Sequence, residues 1–149
     1  YFHFASKESM AQNLIEECSR AVHQTFADAE AAGSTALAQL ETIFRILSRR
    51  LDANQILRAG MKLSLESSIE GSHQTYLRWV DNTGDLVARA VEVGDVNETP
   101  AVDRLAWNLW AGTIGALHAI PADGDDVSLS TRIDDAVAAH FSSIATNRH

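Results

Sequence analysis

The sequence is poor in the residues that staple, break or loosen a chain, with one cysteine, two prolines and eight glycines among 149 residues. A single thiol, Cys18, cannot close an internal disulfide, so a disulfide-stapled scaffold is excluded. So little proline and glycine excludes collagen-like and low-complexity chains. Positive charge is scarce too. Twelve Lys and Arg stand against 20 Asp and Glu, a formal net charge of −8, and these residues alone build no cationic footprint for nucleic acid. Long apolar runs are also missing. The longest uncharged stretch within a predicted helix, Leu105 to Ile120, falls short of the roughly 20 residues that span a bilayer, and it carries Asn108, Thr113 and His118. It reads as a buried helix with no membrane role. The opening Tyr1-Phe2-His3-Phe4 has neither a basic leader nor a cleavage site, so no targeting signal is read, the expected location is cytoplasmic, and the chain is expected to be a fragment of a longer one.

What is present is helical periodicity. Six segments carry it and no strand alternation is sustained, so the expected class is all-α. The first helix is predicted from Ser6 to Ala31, capped by Ser6, with Met10, Leu14, Cys18, Val22 and Phe26 facing the core. The second follows a Ser34 or Thr35 cap and buries Leu37, Leu40, Phe44, Leu47 and Leu51. A short third, Asn54 to Glu66, buries Ile56, Leu57, Met61 and Leu65, and a Gly/Ser loop follows at 67–72. The fourth, Gln74 to Val93, has two apolar rows, one of Trp79, Thr83, Leu86 and Ala90 and one of Tyr76, Val80, Val87 and Val91. So wide a face predicts a central helix. Thr99-Pro100 caps a fifth helix that runs to His118 and is apolar almost all round. The sixth, Ser128 to Ala145, buries Ile133, Val137, Phe141 and Ile144. The fifth and sixth should pack antiparallel, and Ala111, Gly112, Gly115 and Ala116 would let another backbone approach. Their apolar excess predicts a homodimer through a four-helix bundle.

Motifs for catalysis do not emerge. There is no G-x-S-x-G, no glycine-rich phosphate loop and no Cys/His pair, and Cys18 lies on an apolar face where an inert thiol is expected. Glu70 and His73 form a lone Glu-x-x-His in a loop, and Asp123, Asp125 and Asp126 have their glycine between the acids and no glutamate at the offset that closes a calcium loop, so no metal or other cofactor is expected. His118 and His140 read as hydrogen-bonded interface residues. What stands out is Trp79 beside Thr83, opposite a helix that offers Asn108, Trp110 and Thr113 among apolar neighbours. An apolar cavity with a few placed polar groups suits a small-molecule pocket. On these residues alone, a tryptophan that fills the core has an equal claim.

The opening Tyr1 to Met10 resembles the end of the DNA-binding domain in TetR-family repressors, where a Y-x-H-F segment closes the helix-turn-helix and an S-K-E cap starts the long next helix. Three further stretches resemble the γ-butyrolactone (autoregulator) receptors of actinomycetes within that family: I-E-E-x-S-R at Ile15 to Arg20, L-R-A-G-x-x-L at Leu57 to Leu63, and Trp79. The resemblance implies a non-enzymatic, ligand-responsive repressor that releases operator DNA when a small γ-butyrolactone-like molecule binds. It implies that residues 1–5 are the remnant of the helix-turn-helix domain and 6–149 the ligand-binding and dimerisation domain. Tyr1, His3 and Lys7 match positions that touch DNA phosphates, Trp79 matches the tryptophan that lines the lactone pocket, and Thr113 falls where a polar group meets the ligand. With Thr83, the candidate walls are Phe44, Leu47, Met61 and Trp110. Residues 1–149 alone are expected to bind DNA weakly, because those three contacts position a protein without reading bases. The alternatives are a regulator for another hydrophobic effector, such as a drug or fatty acyl compound, and a helical metal-binding or enzymatic bundle.

Overall fold

The computed structural model describes residues 6–66, 68–119 and 126–145. Among them are seven helices and no strand: α1 (Lys7–Ala31), α2 (Ala36–Ala53), α3 (Gln55–Leu63), α4 (Ser72–Glu92), α5 (Pro100–Asp103), α6 (Leu105–His118) and α7 (Leu129–Ala145). The all-α expectation holds. Short polar side chains fix five of the seven starts, those of α4 and α6 having no side-chain cap. Ser6, Thr35, Asn54, Thr99 and Ser128 each accept a backbone N–H three residues on, at 3.0 to 3.2 Å, which satisfies one of the donors a helix start leaves open. Gly33 (φ 71°) and Gly94 (φ 83°) follow the ends of α1 and α4 in the left-handed region that a side chain disfavours.

Three expectations need correction. The predicted fifth helix is two, because the backbone bends at Arg104 (φ −100°, ψ 1°); the bend seats the short α5 against both α6 and α7, with Val102 and Leu105 buried. In α1 the buried row is Ile15, Cys18, Val22, Thr25 and Ala29, whereas Met10 is 46% exposed and Leu14 and Phe26 are half-buried. A strict i+4 row turns by about 40° per step on a helix of 3.6 residues per turn, so its two ends rotate away from the core. Ile56 and Leu65 are exposed rather than buried, and Phe141 is half-buried. Ile56 sits in the first turn of α3, and α3 ends at Leu63, so Leu65 no longer shares its apolar stripe.

The core is one cluster to which every helix except α5 gives several side chains, with α2, α4 and α6 carrying its largest, Phe44, Trp79 and Trp110. Helix α3 lies directly on α1. A Cβ on Gly60 would stand 2.3 Å from the Leu14 carbonyl oxygen and 2.8 Å from the Cys18 Cβ, so the two backbones meet at that residue. Cys18 beneath it is fully buried, and burial pushes its thiol up to about 12, which leaves it protonated and inert. Arg58, in the same L-R-A-G run, donates to the Leu51 and Asp52 carbonyls at 2.8 Å and closes the end of α2.

A polar clasp joins α1 to α2. Arg50 donates to Thr25 Oγ1 at 2.7 Å and to Asp28 Oδ2 at 2.6 Å, and Gln24 donates to the other Asp28 oxygen at 2.8 Å. The hydrogen bond from Arg50, then that from Gln24, holds the Asp28 carboxyl below its ordinary range. A carboxyl lowered by folding contributes stability that is present above its unfolded pKa, near 3.9, and is lost as pH falls through the lower folded value. Asp28→Asn should therefore be less stable than the parent at pH 7, with the gap closing below about pH 4. Denaturant melts at pH 3 and pH 7 check this; an equal gap at both would place the clasp's value elsewhere.

Candidate functional site

The site residues read from the sequence divide into two groups. Tyr1 and His3 lie outside the described residues, and Lys7 is the exposed first residue of α1. The other seven, Phe44, Leu47, Met61, Trp79, Thr83, Trp110 and Thr113, are all buried, drawn from α2, α3, α4 and α6.

The aromatic rings form the centre. Trp79 and Trp110 stand 5.3 Å apart at a tilt of 30°, and Phe44 meets Trp110 edge-on at 5.3 Å. Tyr76 lies edge-on to Trp79, Trp110 and Trp107 at 6.3 to 6.5 Å; these are the separations at which ring edge and face attract. Sequence reasoning placed Tyr76 in the neighbouring apolar row and missed it as the residue that links the three tryptophans. Its spacing from Trp79, one turn earlier on the same helix, was the available signal. Burial raises the Tyr76 phenol above its usual value, so it stays neutral.

Polar groups inside this cluster are almost all committed. The Trp110 indole N–H donates to Thr83 Oγ1 at 2.8 Å, and the Thr83 hydroxyl donates to the Trp79 carbonyl at 2.8 Å. The Thr113 hydroxyl donates to the Leu109 carbonyl at 2.9 Å. Each threonine has thus placed its one proton on its own helix and faces any guest as an acceptor only. Trp79 differs. Its indole nitrogen is buried and has no hydrogen-bond partner, in a residue with no solvent exposure. A desolvated donor without an acceptor costs about 1–3 kcal/mol. The cluster therefore holds an unsatisfied donor, the Trp79 indole N–H, among apolar side chains.

No group of three or more His, Cys, Asp or Glu side chains among the described residues could hold a metal ion. His118 is exposed at the end of α6, and His140 is half-buried beside Gly112. No helix among the described residues is long and apolar enough to cross a membrane.

Comparison with known proteins adds one finding. The chain is 33% identical over 96 residues to a protein from Streptomyces griseus named the A-factor receptor protein. The match covers 64% of this chain and 33% of that relative, so the chain spans about a third of the protein it resembles. No family model matches the chain, and no solved structure matches it.

Proposed function

We propose that this chain is the effector-binding and dimerisation part of a TetR-type transcriptional repressor, and that its effector is a small γ-butyrolactone-like molecule. The buried, unpartnered indole N–H of Trp79 carries the reading. A lactone supplies the carbonyl that this donor lacks, and its alkyl tail suits the apolar surfaces of Phe44, Leu47, Met61 and Trp110. Thr83 and Thr113 offer lone pairs to a ring hydroxyl. The similarity to a protein named as a receptor supports the reading, as does the helical architecture.

Because the rings touch, a guest must part them. Met61 belongs to this wall and follows Gly60, at which α3 rests on the α1 backbone. A displacement of α3 by the effector is therefore passed to α1, whose first residue is Lys7. With Lys7, Tyr1 and His3 on DNA phosphates and a preceding helix-turn-helix on the bases, a shift of α1 lowers operator affinity. A coupling of about 3 kcal/mol corresponds to roughly a hundredfold weaker DNA binding.

The test is a calorimetric titration with γ-butyrolactones of increasing alkyl length. Burial at about 0.8 kcal/mol per CH₂ makes affinity rise about fourfold per carbon until the site is filled. Affinity indifferent to chain length, or binding of fatty acyl compounds or drugs but no lactone, would refute the lactone reading.

The dimer is proposed to form through α6 and α7. The outer row of α6, Trp107, Ala111, Gly115 and His118, is exposed, with Trp107 at 52%, and α7 exposes Ala138 and Ala139. Nothing lies within 4 Å of a Cβ placed on Gly115, so within one protomer a side chain there meets no obstacle. Gly115→Arg should leave the protomer folded and give monomers in sedimentation, since an unpaired charge buried in a seam costs several kcal/mol. A Gly115→Arg protein that stays dimeric at micromolar concentration would move the interface elsewhere.

A further inference from the structure

A groove of about 360 Å³ opens between the second half of α4 and the α5–α6 joint. Val87 and Val91 from one side and Val102 and Ala106 from the other make its floor. Gly84 and Ala88, one turn apart on α4, keep it open: a Cβ on Gly84 would meet only the Ala106 Cβ, at 4.0 Å. The charged groups of the lining are of one sign. Glu98 and Asp103 are both exposed, and among the described residues neither makes an ion pair with a Lys or Arg. By contrast, the groove of about 400 Å³ between α2 and α7 sets Arg45 and Arg49 beside Glu41 and Asp134, so its lining carries both signs of charge.

We infer that the groove between α4 and the α5–α6 joint binds a small organic cation, a protonated amine carried on an apolar body, at a site separate from the Trp79 cluster. The valine floor takes the body, and Glu98 and Asp103 take the ammonium group. The volume lies at the small-molecule end of ligand sites, which run from about 300 to 1,000 Å³, and a partner helix about 10 Å across does not fit it. The site shares α4 and α6 with the aromatic cluster: Gly84 follows Thr83, which receives the Trp110 indole. An amine wedged there presses on the two helices that hold the effector site.

Three probes with one body and different heads test the inference: 4-phenylbutylamine, 4-phenylbutan-1-ol and 4-phenylbutyrate, titrated into valine-methyl-labelled protein and followed by NMR at low salt. Shifts should concentrate on Val87, Val91 and Val102. The amine should bind about five- to tenfold tighter than the alcohol, and the acid more weakly than either. Glu98→Gln with Asp103→Asn should bring the amine to the alcohol's affinity, and Ala88→Phe should abolish the valine shifts for all three. These positions are exposed, so the fold should survive, as unchanged shifts elsewhere would show. Equal affinity of amine and alcohol, undiminished amine binding by the double variant, or shifts centred on the Trp79 cluster would each overturn the inference. So would concentration-dependent shifts at the three valines without any probe, which would assign the groove to a second copy.

Discussion

Gly60→Ala is expected to lower the stability of the domain by about 2–3 kcal/mol, although alanine is the better helix former by about 0.5–1 kcal/mol. The added methyl would stand 2.3 Å from the Leu14 carbonyl oxygen and 2.8 Å from the Cys18 Cβ. The first neighbour is backbone and the second a Cβ, so neither can swing aside as the end of a long side chain can. Helices α1 and α3 have to separate, and the contacts of Met61 and Leu57 loosen with them. For a domain of this length the loss corresponds to a melting point lower by about 5–10 °C. Gly84→Ala is the control, because its methyl would meet only another methyl at 4.0 Å; it should gain about 0.5–1 kcal/mol. The two melts, taken at one protein concentration, check the claim. A Gly60→Ala protein that melts with or above the parent would mean that α1 and α3 are not in backbone contact, and the proposed route from effector to α1 would lose its joint.

The second large effect has two opposite signs. Replacing Trp79 by benzothienylalanine keeps the ring shape and removes only the indole N–H. The free protein should become more stable by about 1–3 kcal/mol, because a buried donor without a partner is removed. Effector affinity should fall by about 10- to 100-fold, because the same donor is the one proposed to meet the ligand's carbonyl. Trp79→Ala would not separate these terms, since emptying a site that size costs about 3–5 kcal/mol by itself. Stability unchanged or reduced, together with unchanged lactone affinity, would make Trp79 a core residue only.

What could be read from the sequence follows from the range of the forces involved. Five helix starts were legible because a cap is a contact between residues three apart, and Ser6, Thr35, Asn54, Thr99 and Ser128 all lie where short-range chemistry puts them; α4, which begins at Ser72 and not Gln74, and α6 have no side-chain cap to read. The stripes of α2 and of the Trp79 row were legible for the same reason: Leu37, Leu40, Phe44, Leu47 and Leu51, and then Trp79, Thr83, Leu86 and Ala90, are buried as their spacing implies. The bend at Arg104 was not, because the buried spacing of Val102, Leu105 and Leu109 runs through it, and the bend depends on how α5 and α6 both dock on α7. Burial failed at helix ends, at Met10, Ile56 and Leu65, where periodicity continues but the neighbouring helix does not. In the candidate site, residue types were legible and their hydrogen bonds were not. That Thr83 is occupied by Trp110 while Trp79 is left unpaired depends on a contact 27 residues apart in the chain. The close approach at Gly60 likewise belongs to two helices and could be read from neither alone.

The Trp79 indole N–H is proposed as the donor that an effector satisfies. The most direct measurement is the ¹H–¹⁵N indole resonance of each tryptophan during titration with an alkyl γ-butyrolactone, assigned by single replacement of Trp107 and Trp110 with phenylalanine. The Trp79 resonance should move downfield on binding as its proton gains an acceptor, while that of the half-exposed Trp107 stays in place. A lactone that binds and leaves the Trp79 resonance unmoved would contradict it.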